Sequence, residues 1–82
     1  MSDTIFVFFK AEEYVNLNQI PTHLEWIWIG SGGTANPDYP SEMQFMGKKN
    51  KYDEMFSYLD SIFLKLKEKG IIEQYYLSDS FN

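Results

Sequence analysis

Residue types that commonly carry chemistry are missing or scarce in this chain of 82 residues. It has no cysteine, which excludes disulfides and thiolate metal ligands and is typical of a reducing compartment. It has one histidine, His23, so a zinc site would need three carboxylates beside it. It has no arginine and a net charge of −5, whereas phosphate contact needs clustered cations. These absences argue against a metal centre and against direct nucleic-acid binding.

Long apolar runs are absent as well. The run from Ile5 to Phe9 is too short for a signal-peptide core and far below the ~18 apolar residues of a membrane span. We therefore expect no membrane association and a cytoplasmic location. The length predicts a single domain, residues 1–82, whose polar tail, residues 78–82, is frayed.

The clearest pattern lies between Asn50 and Gly70 and predicts one helix over about residues 50–69. Asn50 is the predicted N-cap, with Asp53 in the position of a capping box. Gly70 is expected to take the left-handed conformation that ends a helix, with Ile71 folding back onto Leu66. Apolar residues recur at three- and four-residue steps, the period of one helix face, at Tyr52, Met55, Phe56, Leu59, Ile62, Phe63 and Leu66.

Other segments are rich in β-branched and aromatic residues, as strands are. The first is apolar on both faces, which predicts a central strand. In the second, Trp26 and Trp28 share one face, and we favour a core position over a role as partner anchors. The third is a weaker prediction. The four predicted strands are residues 4–10, 24–30, 42–46 and 71–77.

The order β-β-(β)-α-β predicts an α+β fold, a small two-layer sandwich with the helix packed on a three- to four-stranded, mainly antiparallel sheet. One apolar helix stripe can cover only one sheet face. Phe6, Phe8, Ile27 and Ile29 are expected on the other face, which residues 11–22, a second copy or a partner must cover. For such a surface we expect a homodimer.

No motif in the chain predicts catalysis. Residues 31–41, SGGTANPDYPS, form the predicted loop, and their glycines suggest a phosphate cradle. A phosphate-binding loop, however, needs Gly-Lys-Ser/Thr leading directly into a helix, and here two prolines intervene. His23 stands in no nucleophile motif. We therefore expect no enzyme, no catalytic residue, no cofactor and no bound metal.

Charge is the remaining signal. Residues 1–47 hold six acids and one lysine, a net charge of −5, whereas residues 48–82 hold six of each and are neutral. A negative surface speeds association with a basic protein. The hypothesis is therefore a small acidic inhibitor that blocks a basic enzyme such as a nuclease or toxin, as immunity and phage counter-defence proteins do. The predicted partner-binding residues are Glu12, Glu13, Tyr14, Glu25, Asp38, Tyr39 and Glu42.

The alternative belongs to a different class. In it the protein is a structural or assembly module that forms a homo-oligomer through the aromatic sheet face, and its acidic residues are only a solvated surface.

Overall fold

A computed structural model of the chain describes residues 2–12 and 25–80. Within them one helix packs on one face of a four-stranded sheet, which confirms the predicted α+β sandwich and its element order. A short 3-10 turn, Lys49–Lys51, precedes the helix. The elements are β1 (Ser2–Lys10), β2 (Trp26–Gly33), β3 (Ser41–Lys48), α1 (Tyr52–Glu68) and β4 (Gln74–Ser78).

The strands lie in the spatial order β2-β3-β1-β4, and every described pairing is antiparallel. β1 is central, as predicted: Val7 lies opposite Met43 of β3 on one side and Leu77 of β4 on the other. A central strand has no edge in contact with water, and its two apolar faces suit that position. β2 and β4 form the two edges of the described sheet.

All four strands differ from their predicted bounds. β1 begins at Ser2, β3 covers Ser41–Lys48, and β4 begins only at Gln74. β2 continues through Gly32 and Gly33, which pair with Glu42 and Ser41, so the connecting loop shortens to residues 34–40. Pairing with β3 holds this glycine-rich stretch in a strand that its composition disfavours. Ser78 pairs with β1 and belongs to β4, so it is not part of a frayed tail as predicted; residues 81 and 82 lie outside the described residues. Residue 24, the predicted start of β2, lies outside the described residues.

The core lies between α1 and the facing side of the sheet. The predicted helix stripe faces inward, with Met55, Leu59 and Phe63 fully buried and the other stripe residues packed at their margins. Trp26 is buried in the same cluster and Trp28 packs against it, as the core interpretation predicted. The sheet's buried contribution to this core is Ile5, Val7, Phe9, Trp26, Met43 and Phe45.

The start of the helix was predicted wrongly. Asn50 lies in the 3-10 turn, and the helix begins after Lys51, for which the described residues provide no side-chain cap. β3 remains paired with β1 as far as Lys48, so the chain must first turn away from the sheet. Asp53 and Glu54 do lie in the first turn, where the helix dipole favours acids.

The end of the helix agrees with the prediction. Gly70 has φ +75°, the left-handed conformation. Its N–H donates to the Lys67 carbonyl at 3.0 Å, and the Ile71 N–H donates to the Leu66 carbonyl at 2.9 Å. These two bonds form a Schellman motif and satisfy carbonyls that the helix end would leave unpaired. The side chain that enters the core just after the motif is that of Ile72.

A polar contact also joins α1 to β4. The Tyr75 hydroxyl donates to Asp60 Oδ1 at 2.8 Å. Burial of the phenol, followed by this hydrogen bond, raises the pKa of Tyr75 to about 12. The hydroxyl therefore keeps its proton and remains a donor throughout the physiological pH range.

Leu59 provides the first test of the packing. It is fully buried in the middle of the α1 stripe, so Leu59→Ala should leave a cavity and destabilise the protein by about 2–5 kcal/mol. Leu64→Ala, on the exposed side of the same helix, is the control and should change stability by less than about 0.5 kcal/mol. Urea denaturation measures both; equal losses would mean that the helix packs through another face.

The indole of Trp26 lies directly over Gly47 of the neighbouring strand. The two residues are cross-strand partners, and a Cβ at position 47 would overlap the ring atoms. The indole Nε1–H also donates to the Lys48 carbonyl at 3.0 Å, which fixes the ring against the strand. Glycine at position 47 is therefore required by this close approach.

Gly47→Ala should consequently destabilise the protein by about 1–3 kcal/mol, the usual range for overpacking. Gly30→Ala is the matched control, because a Cβ there would meet no atom of the described residues within 4 Å. Denaturation followed by tryptophan fluorescence compares the two. If Gly47→Ala is as stable as the control, the indole does not lie on this glycine.

Candidate functional site

The sheet face opposite α1, here called the second face, is the candidate site. Phe6 and Phe8 of β1 lie on it, because their neighbours Ile5, Val7 and Phe9 point into the core. Ile27 lies on it as well, opposite Met46 of β3. These positions are as predicted. Ile29 is the extra residue of a β-bulge between Trp28 and Gly30.

One half of the second face is aromatic. Phe8 stacks on Tyr76 of β4 with ring centroids 4.9 Å apart, and Tyr39 meets Tyr76 edge-on at 4.7 Å. We call Phe8, Tyr39 and Tyr76 the aromatic cluster. Gln74 Nε2 donates to the Asp38 carbonyl at 2.5 Å, on the same side of the sheet. The loop of residues 34–40 therefore folds back over this half of the face.

Internal hydrogen bonds brace this loop. The Thr34 N–H donates to the Pro40 carbonyl at 2.9 Å, and the Thr34 hydroxyl donates to the Tyr39 carbonyl. Asn36 Oδ1 accepts from the Asp38 N–H at 2.9 Å, an Asx-type turn. The loop consequently keeps its shape through its own contacts, while Gln74 and Tyr76 hold it to the sheet.

The other half of the second face exposes apolar side chains. Ile27, Ile29 and Met46 are 61%, 43% and 38% exposed, and we call them the apolar patch. They lie along the edge formed by β2 and its neighbour β3. Grouped exposed apolar residues of this kind mark interaction surfaces more often than isolated ones do.

Glu42 lies between the two halves and differs from the prediction of a surface acid. It is 5% exposed, opposite Phe8 of β1 and Gly32 of β2. Its Oε1 accepts from Gln44 Nε2 at 3.2 Å. Its Oε2 is buried and has no hydrogen-bond donor in the described part of the chain. The alternation of β3 causes this, since Met43 and Phe45 fill the core and turn Glu42 onto the second face.

The other predicted contact residues do not form one cluster. Glu12 and Asp38 are exposed near the C-terminal end of β1, and Tyr39 is half-buried in the aromatic cluster. Glu25 lies at the opposite end of the sheet. Ser2 and Phe9 mark these ends, seven steps apart on β1, which is about 23 Å at ~3.3 Å per residue. Residues 13 and 14, also predicted contacts, lie outside the described residues.

Both lysines of the sheet layer lie beside an acid. Lys48 Nζ is 2.6 Å from Glu25 Oε2, and this hydrogen bond and the lysine charge lower the pKa of Glu25. Lys10 Nζ is 3.6 Å from Glu73 Oε2. Glu25 has φ 59° in the turn that enters β2, a backbone conformation that few residues other than glycine adopt. Because Lys48 lies beside it, the negative charge of Glu25 is already partly balanced.

Charge divides between the two layers more sharply than along the chain. Residues 49–69, which form the 3-10 turn and the helix with its C-cap, contain five lysines and four acids, a net charge of +1. The remaining described residues, 2–12, 25–48 and 70–80, contain two lysines and seven acids, a net charge of −5. The sheet and its connections therefore carry the negative charge of the protein.

Sequence reasoning missed several residues of this face. Met46, Gln44 and Tyr76 were assigned to strands but not to a site, and Gly30 and Gly32 were assigned to a strand end and a loop. Gly30 and Gly32 occupy the second face because they pair with Gln44 and Glu42. No local signal gives that pairing. It follows only from the register between β2 and β3.

Within residues 2–12 and 25–80, no three acidic or histidine side chains converge to hold a metal ion. No helix in the same part of the chain has the length and hydropathy to cross a bilayer. Comparisons of the chain with protein-family models, curated protein sequences and solved structures find no match.

Proposed function

We propose that this protein is a small acidic inhibitor that binds a basic protein, such as a nuclease or toxin, through the second face of its sheet. The observation that carries the proposal is the net charge of −5 on the described residues outside the helical segment, in the layer that also exposes the apolar patch. An apolar centre with a charged rim is the ordinary anatomy of a protein–protein interface.

The proposed mechanism is steric blockage. A nucleic-acid-processing enzyme lines its substrate channel with cations, and an acidic domain can occupy that channel or its rim. Exposed acids such as Glu12 and Asp38 accelerate encounter from a distance. Desolvated contacts of the apolar patch then set how long the complex lasts. Recognition therefore divides between charge, which governs association, and apolar contact, which governs dissociation.

The second candidate is a homo-oligomer formed through the same face. The exposure of Ile27, Ile29 and Met46 favours it, because a second copy could bury them. Two-fold pairing would also bring two surfaces of the acidic sheet layer together. Like charges facing each other across an interface are unfavourable. This repulsion makes a basic partner the better candidate.

The two candidates predict different masses. An inhibitor of a basic partner should be a monomer at micromolar concentration, with a mass near 9.7 kDa by light scattering at 0.15 M salt. Twice that mass, reduced to the monomer by Ile27→Lys but not by Leu64→Lys, would instead support the homo-oligomer. Leu64 is a suitable control because it is 45% exposed on the helix layer.

Charge-reversal variants test the electrostatic contribution to partner binding. The partner is isolated from the native host. Asp38→Lys and Glu12→Lys should each slow association by about three- to tenfold and flatten its salt dependence. Glu68→Lys changes the charge equally on the helix layer and should have a smaller effect. Surface plasmon resonance across a salt series measures this. Fast association that ignores salt, or equal effects of all three variants, would contradict the proposal.

A further inference from the structure

Glu42 is the least satisfied polar group on the second face. One carboxylate oxygen accepts from Gln44, and the other is buried without a donor in the described part of the chain. A buried acceptor without a partner is unfavourable, and a buried charge without a partner is more so. Such a group calls for an explanation, and a missing cationic partner is the simplest one chemically.

The strand beside Glu42 leaves room for an occupant. A Cβ at Gly32 would lie 3.4 Å from Glu42 Oε1, so glycine keeps the space next to the carboxylate empty. A Cβ at Gly30 would meet no described residue within 4 Å, so no described residue covers this part of the face. Both glycines lie on the second face because they pair with Glu42 and Gln44. A bare strip of β2 therefore leads to the carboxylate.

The aromatic cluster borders the same carboxylate. Phe8 is the cross-strand partner of Glu42 and stacks on Tyr76. Aromatic ring faces carry negative potential and attract cations within about 6 Å. A carboxylate oxygen beside such rings suits a positive charge better than a negative or neutral group. The chemistry of the site thus matches the basic partner proposed above.

We propose that Glu42 receives one cationic side chain, a lysine or an arginine, of the basic partner, and that the aliphatic stem of that side chain lies along Gly30 and Gly32. The inference rests on the proposed function and names the contact that it requires. Because Oε1 already accepts from Gln44, Oε2 is the oxygen that accepts from the incoming ammonium or guanidinium group.

Entry of the side chain requires a local movement, since Glu42 is 5% exposed. The proposed entry displaces the loop of residues 34–40, which borders the site through Tyr39 of the aromatic cluster. Its described links to β4 are one hydrogen bond, from Gln74 to the Asp38 carbonyl, and one ring contact, between Tyr39 and Tyr76. Its internal hydrogen bonds would survive such a shift, so the loop can lift as a unit.

The test uses n-butylammonium as the probe and n-butanol as its neutral counterpart. Nuclear magnetic resonance of the intact protein should show saturable shifts, in the millimolar range, at the amides of Gly30 and Gly32 and at the Gln44 side chain. The alcohol should not produce them. Binding of n-propylguanidinium at the same signals also supports the inference. Failure of both cations to bind, or equal shifts with n-butanol, would overturn it.

Two variants locate the binding. Glu42→Gln keeps an acceptor for Gln44 but removes the charge, so it should abolish the n-butylammonium shifts. Gly32→Ala should weaken binding at least threefold, whereas Gly33→Ala, whose added methyl faces the other side of the sheet, should not. Persistence of the shifts in Glu42→Gln, or equal effects of the two alanine variants, would contradict the inference.

Thermal stability supplies a readout that does not depend on ligand. If the carboxylate lacks a partner in the unbound protein, Glu42→Gln should raise the melting temperature. A lower melting temperature would mean that the charge is already satisfied, and would overturn the inference.

The probe titration also separates the two proposals, because it needs no partner protein. Loss of salt-dependent partner binding with intact n-butylammonium binding would overturn the proposed function and leave Glu42 as a cation-binding site without that partner. Partner binding without n-butylammonium binding would overturn only this inference.

Discussion

One helix can cover one face of this sheet and no more. Four strands at about 4.8 Å spacing place the outer strand axes about 14 Å apart, and a helix with its side chains is about 10 Å across. α1 therefore suffices for the side that holds Trp26, Phe45 and Ile5. Yet the central strand is apolar on both faces, so burying one face leaves Phe6 and Phe8 on the other.

The two halves of the second face are covered to different extents. Over its aromatic half, the loop of residues 34–40 returns across β4 and places Tyr39 against Tyr76. Over the β2 half, Ile27 and Met46 stay exposed. The loop thus covers one half of the second face and leaves the apolar patch exposed beside it. Because the loop is braced internally, its covering role requires few bonds to the sheet.

Features set by local chain geometry could be predicted from the sequence. The helix stripe follows from a 3.6-residue period, and Gly70 ends the helix because it accepts positive φ without a steric cost. Features set by the pairing of strands could not be predicted from the sequence. Asn50 has the chemistry of an N-cap, but the paired end of β3 and the 3-10 turn displace the helix start past it.

Gly32 and Gly33 gave the same kind of error. Their composition indicates a loop, whereas β3 holds them in a strand. The prediction of the partner-binding residues has the same limit, because it grouped acids by their position along the chain. Glu25 and Asp38 are thirteen positions apart in the sequence, yet they occupy opposite ends of the sheet. Proximity in the sequence does not give spatial proximity when a whole strand, here β2, lies between the two residues.

The residues that break local rules are the most informative about function. Glutamate beside aromatic rings and glycine within a strand both lower stability, and natural sequences retain such conflicts mainly where a site needs them. Here the two conflicts are cross-strand neighbours, Glu42 and Gly32. If Gly32 served only chain flexibility, nothing would place it beside the one buried carboxylate of the described chain. Because Glu42 and Gly32 are adjacent, they mark the position on the second face where the acidic sheet layer is best suited to receive a cation.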